Sequence, residues 1–146
     1  MLYTVGYEGR SQKELLEALT KQGIQALCDV RQHAVSRVPG FSKTSLSNAA
    51  TAASIAYYHL PALGNPKENR PGYAKGHTRK AAKETFRERL TKSPGATQAL
   101  QELIMLIAEA PTALLCYEAD PQRCHRSDVA AALADAVPDL VIASLN

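Results

Sequence analysis

The most chemically loaded stretch of the chain is Cys116-Tyr-Glu118-Ala-Asp120-Pro-Gln-Arg-Cys124-His125-Arg126. It runs from the end of a strand-like segment to the start of a helix-like one. Cys124 and His125 therefore fall near a helix N-terminus, where the macrodipole and free N–H groups favour an anion and lower a thiol pKa. Arg126 adds a planar fork suited to phosphate or carboxylate. Glu118 stands where a general base or a ribose-binding carboxylate belongs. The structural alternative puts Cys116 in the core, uses Asp120 to cap a turn and packs Cys124 beneath the helix. A second polar cluster, Asp29-Val-Arg31-Gln-His33-Ala-Val-Ser36-Arg37, follows another strand-like run. Buried charges there need partners, and Asp29 and Arg31 could pair across the sheet with Arg126 and Glu118. Arg31, Arg37, Lys43 and Arg126 outnumber the nearby acids, which leaves positive charge for an anionic ligand.

Several chemistries lack their pattern. Cys116, Cys124, His125 and His59 could meet around zinc, but structural zinc sites usually use paired ligands such as C-x-x-C. Here seven residues separate the cysteines and none separates Cys124 from His125, so no metal is expected. No cysteine stands five residues before Arg126, as a phosphatase-like loop requires. A Walker loop, a G-x-G-x-x-G and a Ser nucleophile elbow are also missing, and no cofactor is called for.

These groups need elements to position them. The chain has 146 residues, 45% hydrophobic and 21% charged, which suits one α/β domain over 1–146 and argues against disorder. Leu2–Val5 reads as a buried strand closed by Gly6. Ser11 and Glu14 form a capping-box pattern ahead of Leu15, Leu16 and Leu19, and Gly23 ends that helix. Ile24–Val30 is a second strand, so a parallel βαβ unit is expected. Ser45–Ala53 reads as a short helix, Ile55–Leu60 as a strand, and residues 61–77 as a long Pro- and Gly-rich loop. Residues 78–92 read as a basic helix ended by Pro94-Gly95, and Thr97–Ala110 as an amphipathic helix. Thr112–Cys116, Ser127–Ala136 and Leu140–Ser144 complete a strand–helix–strand ending. The expectation is a mostly parallel open sheet of four or five strands in a Rossmann-like three-layer arrangement. Ligands of such sheets sit beyond the carboxyl ends of the strands, which is where Gly6-Tyr7, Asp29–Arg31, His59 and Cys116–Glu118 fall.

Three widely spaced cysteines do not form a disulfide framework. Free thiols imply a reducing compartment, and the N-terminus lacks the pattern of a signal peptide. No apolar run would span a bilayer. The cytoplasm is expected, with no membrane partner. Between Lys67 and Lys92 nine Lys and Arg face three Glu, an excess that attracts phosphate unless it is only a solvated face.

The stretches TVGYEGRS, LCDVRQHAVSR, YYHLPALG and LLCYEADPQRCHR resemble a widespread prokaryotic family known as domain of unknown function 488 (DUF). C-x-E-x-x-P-x-x-C-H-R is its most specific element. Ala34 departs from the family, which usually has Pro there. The resemblance implies a compact α/β fold that gathers Gly6, Asp29, Arg31, Ser36, Arg37, His59, Leu63, Gly64, Cys116, Glu118, Cys124, His125 and Arg126. It supplies no reaction.

The residues favour an enzyme, a hydrolase or transferase, acting on a nucleotide or nucleic acid. Glu118, Asp29, His125 and Cys124 are the catalytic candidates. Arg31, Arg37, Arg126, Gly6, Tyr7, His59 and Cys116 are the substrate-binding candidates, and Tyr7, Tyr57 or Tyr117 could stack a base. One alternative is a non-catalytic nucleic-acid-binding module that tracks phosphates with Lys67–Lys92. Another is a thiol-based redox protein using Cys116 and Cys124.

Overall fold

The computed structural model describes residues 1–145. Five parallel strands form one sheet: β1 (Leu2–Gly6), β2 (Ala26–Asp29), β3 (Ala56–His59), β4 (Thr112–Cys116) and β5 (Ile142–Ser144), in the order β3-β2-β4-β1-β5. The helices are α1 (Gln12–Lys21), α2 (Lys43–Ala52), α3 (Pro71–Ala74), α4 (Gly76–Lys92), α5 (Pro94–Glu109) and α6 (Arg126–Ala136). This is the α/β architecture expected from the alternation of strand and helix.

Successive residues of a strand face opposite sides of the sheet, and β4 feeds two cores. Leu114 and Cys116 pack with Phe86, Leu90, Leu103, Val129 and Leu133 of α4, α5 and α6. Ala113 and Leu115 pack with Leu15, Leu19 and Leu46 of α1 and α2. The central strands are apolar on both faces because helices cover both.

The strand order creates the site. The chain leaves β1, skips one position to β2, moves outward to β3, and then returns through α3, α4 and α5 to place β4 between β2 and β1. The crossovers after β1 and β2 lie on one face and the crossover after β4 on the other, so a crevice opens at the carboxyl end of β4. The register sets Gly6 beside Cys116, and Asp29 beside both Leu115 and His59. Four strand ends thus stand level.

Local signals explain most boundaries. Ser11 and Glu14 form the capping box of α1, and Gly23 follows that helix with φ +72°. The basic helix α4 ends at Lys92, as expected, and Pro94 also opens α5, three residues before the expected start at Thr97, with Ser93 as its N-cap. A proline at the first helical position lacks only an N–H that would be unpaired anyway. The long loop after β3 contains two 3₁₀ turns and α3.

Asp128 ties α6 to this loop region. Its fully buried carboxylate accepts from Tyr73 Oη at 2.6 Å, Lys83 Nζ at 3.1 Å and Arg87 Nε at 2.7 Å. Two of the nine basic residues counted above are therefore committed to holding the fold. Removing one partner of a buried ionic cluster leaves the other charges uncompensated. Asp128→Ala should lower the unfolding free energy by about 3 kcal/mol or more in urea titration, and Asp128→Asn by less because the amide oxygen still accepts.

Candidate functional site

Cys116 ends β4, and the chain turns through 117–125 so that Cys124 returns over it at the start of α6. The two cysteines are joined as a disulfide, with Cα atoms 7.1 Å apart. This corrects the expectation of three free thiols: only Cys28 is free, and it is buried. With two of the three cysteines bonded, cysteine usage no longer points to a reducing compartment. The redox alternative pairs these two cysteines, but spacing along the chain does not require it, because it is the turn back over the end of β4 that closes the gap. Burial pushes the Cys28 thiol up to about 12, helped by neighbouring Asp29.

His125 lies against both sulfurs. Its Nδ1 is 3.9 Å from Cys116 Sγ and 3.7 Å from Cys124 Sγ, while Nε2 bonds the Val30 carbonyl at 2.7 Å. A carbonyl only accepts, so Nε2 carries the proton and the Nδ1 lone pair faces the sulfurs. Burial pulls the His125 pKa down to about 4, more than the Val30 bond raises it, and the ring is neutral at pH 7. Glu118 Oε2 sits 3.1 Å from Cys116 Sγ. Burial raises the Glu118 pKa, against its own backbone N–H and the charge of Arg126.

Asp29 and Arg31 do not reach across to Glu118 and Arg126 but satisfy each other. Arg31 Nε donates to Asp29 Oδ1 at 2.8 Å and Nη2 to Oδ2 at 2.6 Å. The Asp29 carboxylate also accepts from the Arg31 backbone N–H at 3.2 Å and from the Tyr57 hydroxyl. Burial works against the Arg31 charge, but Asp29 outweighs it and holds the guanidinium protonated. Arg31 Nη1 then donates to Tyr7 Oη at 3.1 Å. With its oxygens occupied, Asp29 positions Arg31 and is not placed as a base.

Arg126 is fully buried. Its Nη1 donates to the Glu118 carbonyl and its Nη2 to the Ala119 carbonyl at 3.1 Å. Burial draws its pKa down to about 10 against the pull of Glu118 and Asp120, so it stays charged at neutral pH. These bonds shape the turn that carries Glu118. Gly6 supports the same turn from below: a Cβ there would run into the Glu118 carbonyl. His59 Nε2 donates to the Arg31 carbonyl at 2.8 Å, and Arg37 lies exposed. Arg126, Gly6, His59, Arg37 and Asp29 are all outside the pocket lining.

The pocket has a volume of about 180 Å³ and lies over the ends of β1, β2 and β4. Among the residues singled out from sequence, Tyr7, Arg31, Cys116, Tyr117, Glu118, Cys124 and His125 line it. Tyr7 is buried and stacked on Phe41, with ring centroids 4.3 Å apart. That leaves Tyr117, 42% exposed, as the aromatic face open to a ligand.

The sequence reading did not place Gln32, Asn65, Arg70, Tyr73 or Arg123 here. Arg70 reaches in from the long loop, donating to the Asn65 carbonyl at 3.0 Å and towards Gln32 Oε1 at 3.4 Å. Gly64 permits this approach, since a Cβ there would overlap the Gln32 backbone. The length of that loop, with Gly64 and Arg70 in it, was the available signal.

Residues 11–133 match the family model described as Domain of unknown function DUF488. The chain belongs to that family. No curated protein and no solved structure matches it. The DUF488 match takes in every pocket residue named above except Tyr7, and covers the whole Cys116–Arg126 stretch. Among the described residues, no helix is long and apolar enough to cross a membrane.

Two outcomes follow for this DUF488 site. Unreduced protein unfolded in denaturant should yield one thiol to a colorimetric reagent, from Cys28, and three after reduction; folded protein should yield none at neutral pH. Gly6→Ala should destabilise by about 2–3 kcal/mol, because both the added methyl and the peptide it meets are held by surrounding structure. A chemical-denaturation midpoint checks this, with Gly9→Ala as a comparison for the left-handed φ of +76° alone.

Proposed function

We propose that the chain is an enzyme that binds a small phosphate-bearing substrate in this pocket and acts on it as a hydrolase or transferase. The observation that carries this reading is the charge of the lining. Three guanidinium groups, Arg31, Arg70 and Arg123, surround one carboxylate, Glu118. Arg31 is balanced by Asp29. Among the described residues no carboxylate pairs with Arg70, and Arg123 meets Asp120 only at 3.9 Å on the surface. The surplus positive charge thus resides on Arg70 and Arg123, at the mouth. Phosphate offers such forks bidentate partners.

The cavity volume limits the substrate. About 180 Å³ is below the usual range for drug-sized ligands, and suits a phosphoryl group with a small organic part. Tyr117 could cover a ring outside. Glu118, kept partly from water, would exchange a proton with the reacting group.

A nucleic-acid-binding role for Lys67–Lys92 is less favoured, because much of that charge is used internally. Lys83 and Arg87 serve Asp128, Lys92 pairs with Glu88, and Arg79 bonds the Tyr73 carbonyl. The Cys116–Cys124 disulfide favours a second reading, thiol-based redox chemistry. There a substrate dithiol would give two electrons to the pair and close as its own disulfide, its two protons passing by way of His125 Nδ1 and Glu118 to the two cysteine sulfurs.

Inorganic phosphate and nucleoside monophosphates should raise the melting temperature of the wild type by about 5–10 °C at a hundredfold excess over Kd. Arg70→Ala and Arg123→Ala should abolish most of that shift while melting normally without ligand. Equal shifts in both variants, or none with any phosphate compound, would sink the phosphate reading. A full shift that vanishes only on reduction would favour the thiol reading.

A further inference from the structure

We propose that Cys116, Cys124 and His125, when the cysteine pair is reduced, bind one divalent ion of the zinc class. Two thiolates and His125 Nδ1 are the ligands, and the fourth position opens to the pocket. The inference goes beyond the phosphate reading and rests on different groups.

The ligand atoms of the three residues lie within 4.8 Å of one another. A tetrahedral ion with metal–sulfur bonds of about 2.3 Å and metal–nitrogen bonds of about 2.0–2.1 Å holds sulfur and nitrogen about 3.6 Å apart, and two sulfurs about 3.8 Å apart. Nδ1 already stands 3.9 and 3.7 Å from the two sulfurs. Only the sulfurs need to separate, which reduction permits. Their Cα atoms, 7.1 Å apart, lie beyond the usual disulfide range of roughly 4.4–6.8 Å, and an ion between the sulfurs accommodates that span.

The histidine is arranged as metal-binding histidines are. Its far nitrogen donates to a backbone carbonyl, here that of Val30 at 2.7 Å, which fixes the ring and aims the other lone pair inward. Disulfide sulfurs have no hydrogen to offer, so in this structure Nδ1, in a buried ring, faces two atoms that cannot donate to it. An ion supplies the missing partner, and two thiolates neutralise its charge.

Spacing alone argued against this site. Adjacent residues rarely share an ion, but here Cys124 precedes α6 and His125 caps it, so the turn between them aims both at Cys116. All three line the pocket, and three protein ligands with an open fourth position form the catalytic type of zinc site, not the closed structural type. Glu118, 3.1 Å from Cys116 Sγ, stands beside that opening.

Loading requires a balanced reduction. A dithiol gives two electrons and two protons to the Cys116–Cys124 bond and leaves as its own disulfide. The ion then displaces one proton from each thiol. Disulfide and metal are therefore exclusive occupants of one pair, and the redox state decides which is present.

The test is cobalt(II) titration of the full chain, oxidised and after dithiothreitol treatment and anaerobic desalting. The reduced wild type should bind one cobalt per chain, with a thiolate-to-cobalt charge-transfer band and tetrahedral visible bands, and zinc should displace it. The oxidised protein should show neither band. Cys124→Ser should weaken the charge-transfer band, and His125→Ala should weaken cobalt affinity by more than the roughly 10- to 100-fold that losing an outer partner costs. Cys28→Ala should change nothing. No charge-transfer band in the reduced wild type, or an equal band in the oxidised protein or in a Cys116→Ala/Cys124→Ala double variant, would overturn the proposal. The oxidised–reduced comparison needs no substitution, so a variant that fails to fold leaves the test intact. Phosphate-induced melting shifts that persist without cobalt binding would reject the ion and keep the phosphate reading; the converse would do the opposite.

Discussion

The candidate site depends on one buried cation. Arg126 has no exposed surface; its two terminal nitrogens donate to the carbonyls of Glu118 and Ala119, while Nε is buried without a partner. Two peptide dipoles replace the water that a charge of this kind normally keeps. Because the fork is planar, it holds both carbonyls in one orientation. That fixes the turn after β4, and the turn fixes everything on it: Glu118, the path of the chain back to Cys124, and the entry to α6. Gly6 closes the arrangement, since the same turn lies directly against the end of β1.

Polar groups around the pocket divide by what they touch. Asp29, Tyr57 and Tyr7 are arranged around Arg31, and Asp128 gathers Tyr73, Lys83 and Arg87. Each is built around a fully buried carboxylate, Asp29 or Asp128, that meets opposite charge and a hydroxyl, which is how a protein keeps an ionised group out of water. Arg70, Arg123 and Glu118 are different, for they line the opening and, among the described residues, no ion pair shorter than 3.9 Å consumes them. Groups of the first kind make the scaffold rigid. Groups of the second kind retain an unmet preference for a partner, which is the physical content of a binding site.

The cysteine pair joins the two classes. It belongs to the apolar core under α4 to α6 and also lines the pocket. A bond or an ion between two sulfurs ties β4 to α6 across the crevice, so the state of the pair bears on the same turn that Arg126 holds.

Much of this was legible in the chain itself. Apolar runs of four to five residues separated by amphipathic stretches specify parallel strands with covering helices, because a strand buried on both faces carries no polar alternation. Ser11, Glu14 and Gly23 marked helix ends by local hydrogen bonding and backbone freedom. The strand-end rule then pointed to Tyr7, Arg31, Cys116 and Glu118. Pairing was not legible. Asp29 with Arg31, Arg126 with two carbonyls, Cys116 with Cys124, and the arrival of Arg70 are settled by distances between segments far apart in sequence. Residue type and spacing determined which groups reach the carboxyl edge of the sheet. Only the insertion of β4 between β1 and β2, and the turn packed on Gly6, decided which of those groups are consumed by one another and which remain open, because burial makes each charge take the nearest partner in space.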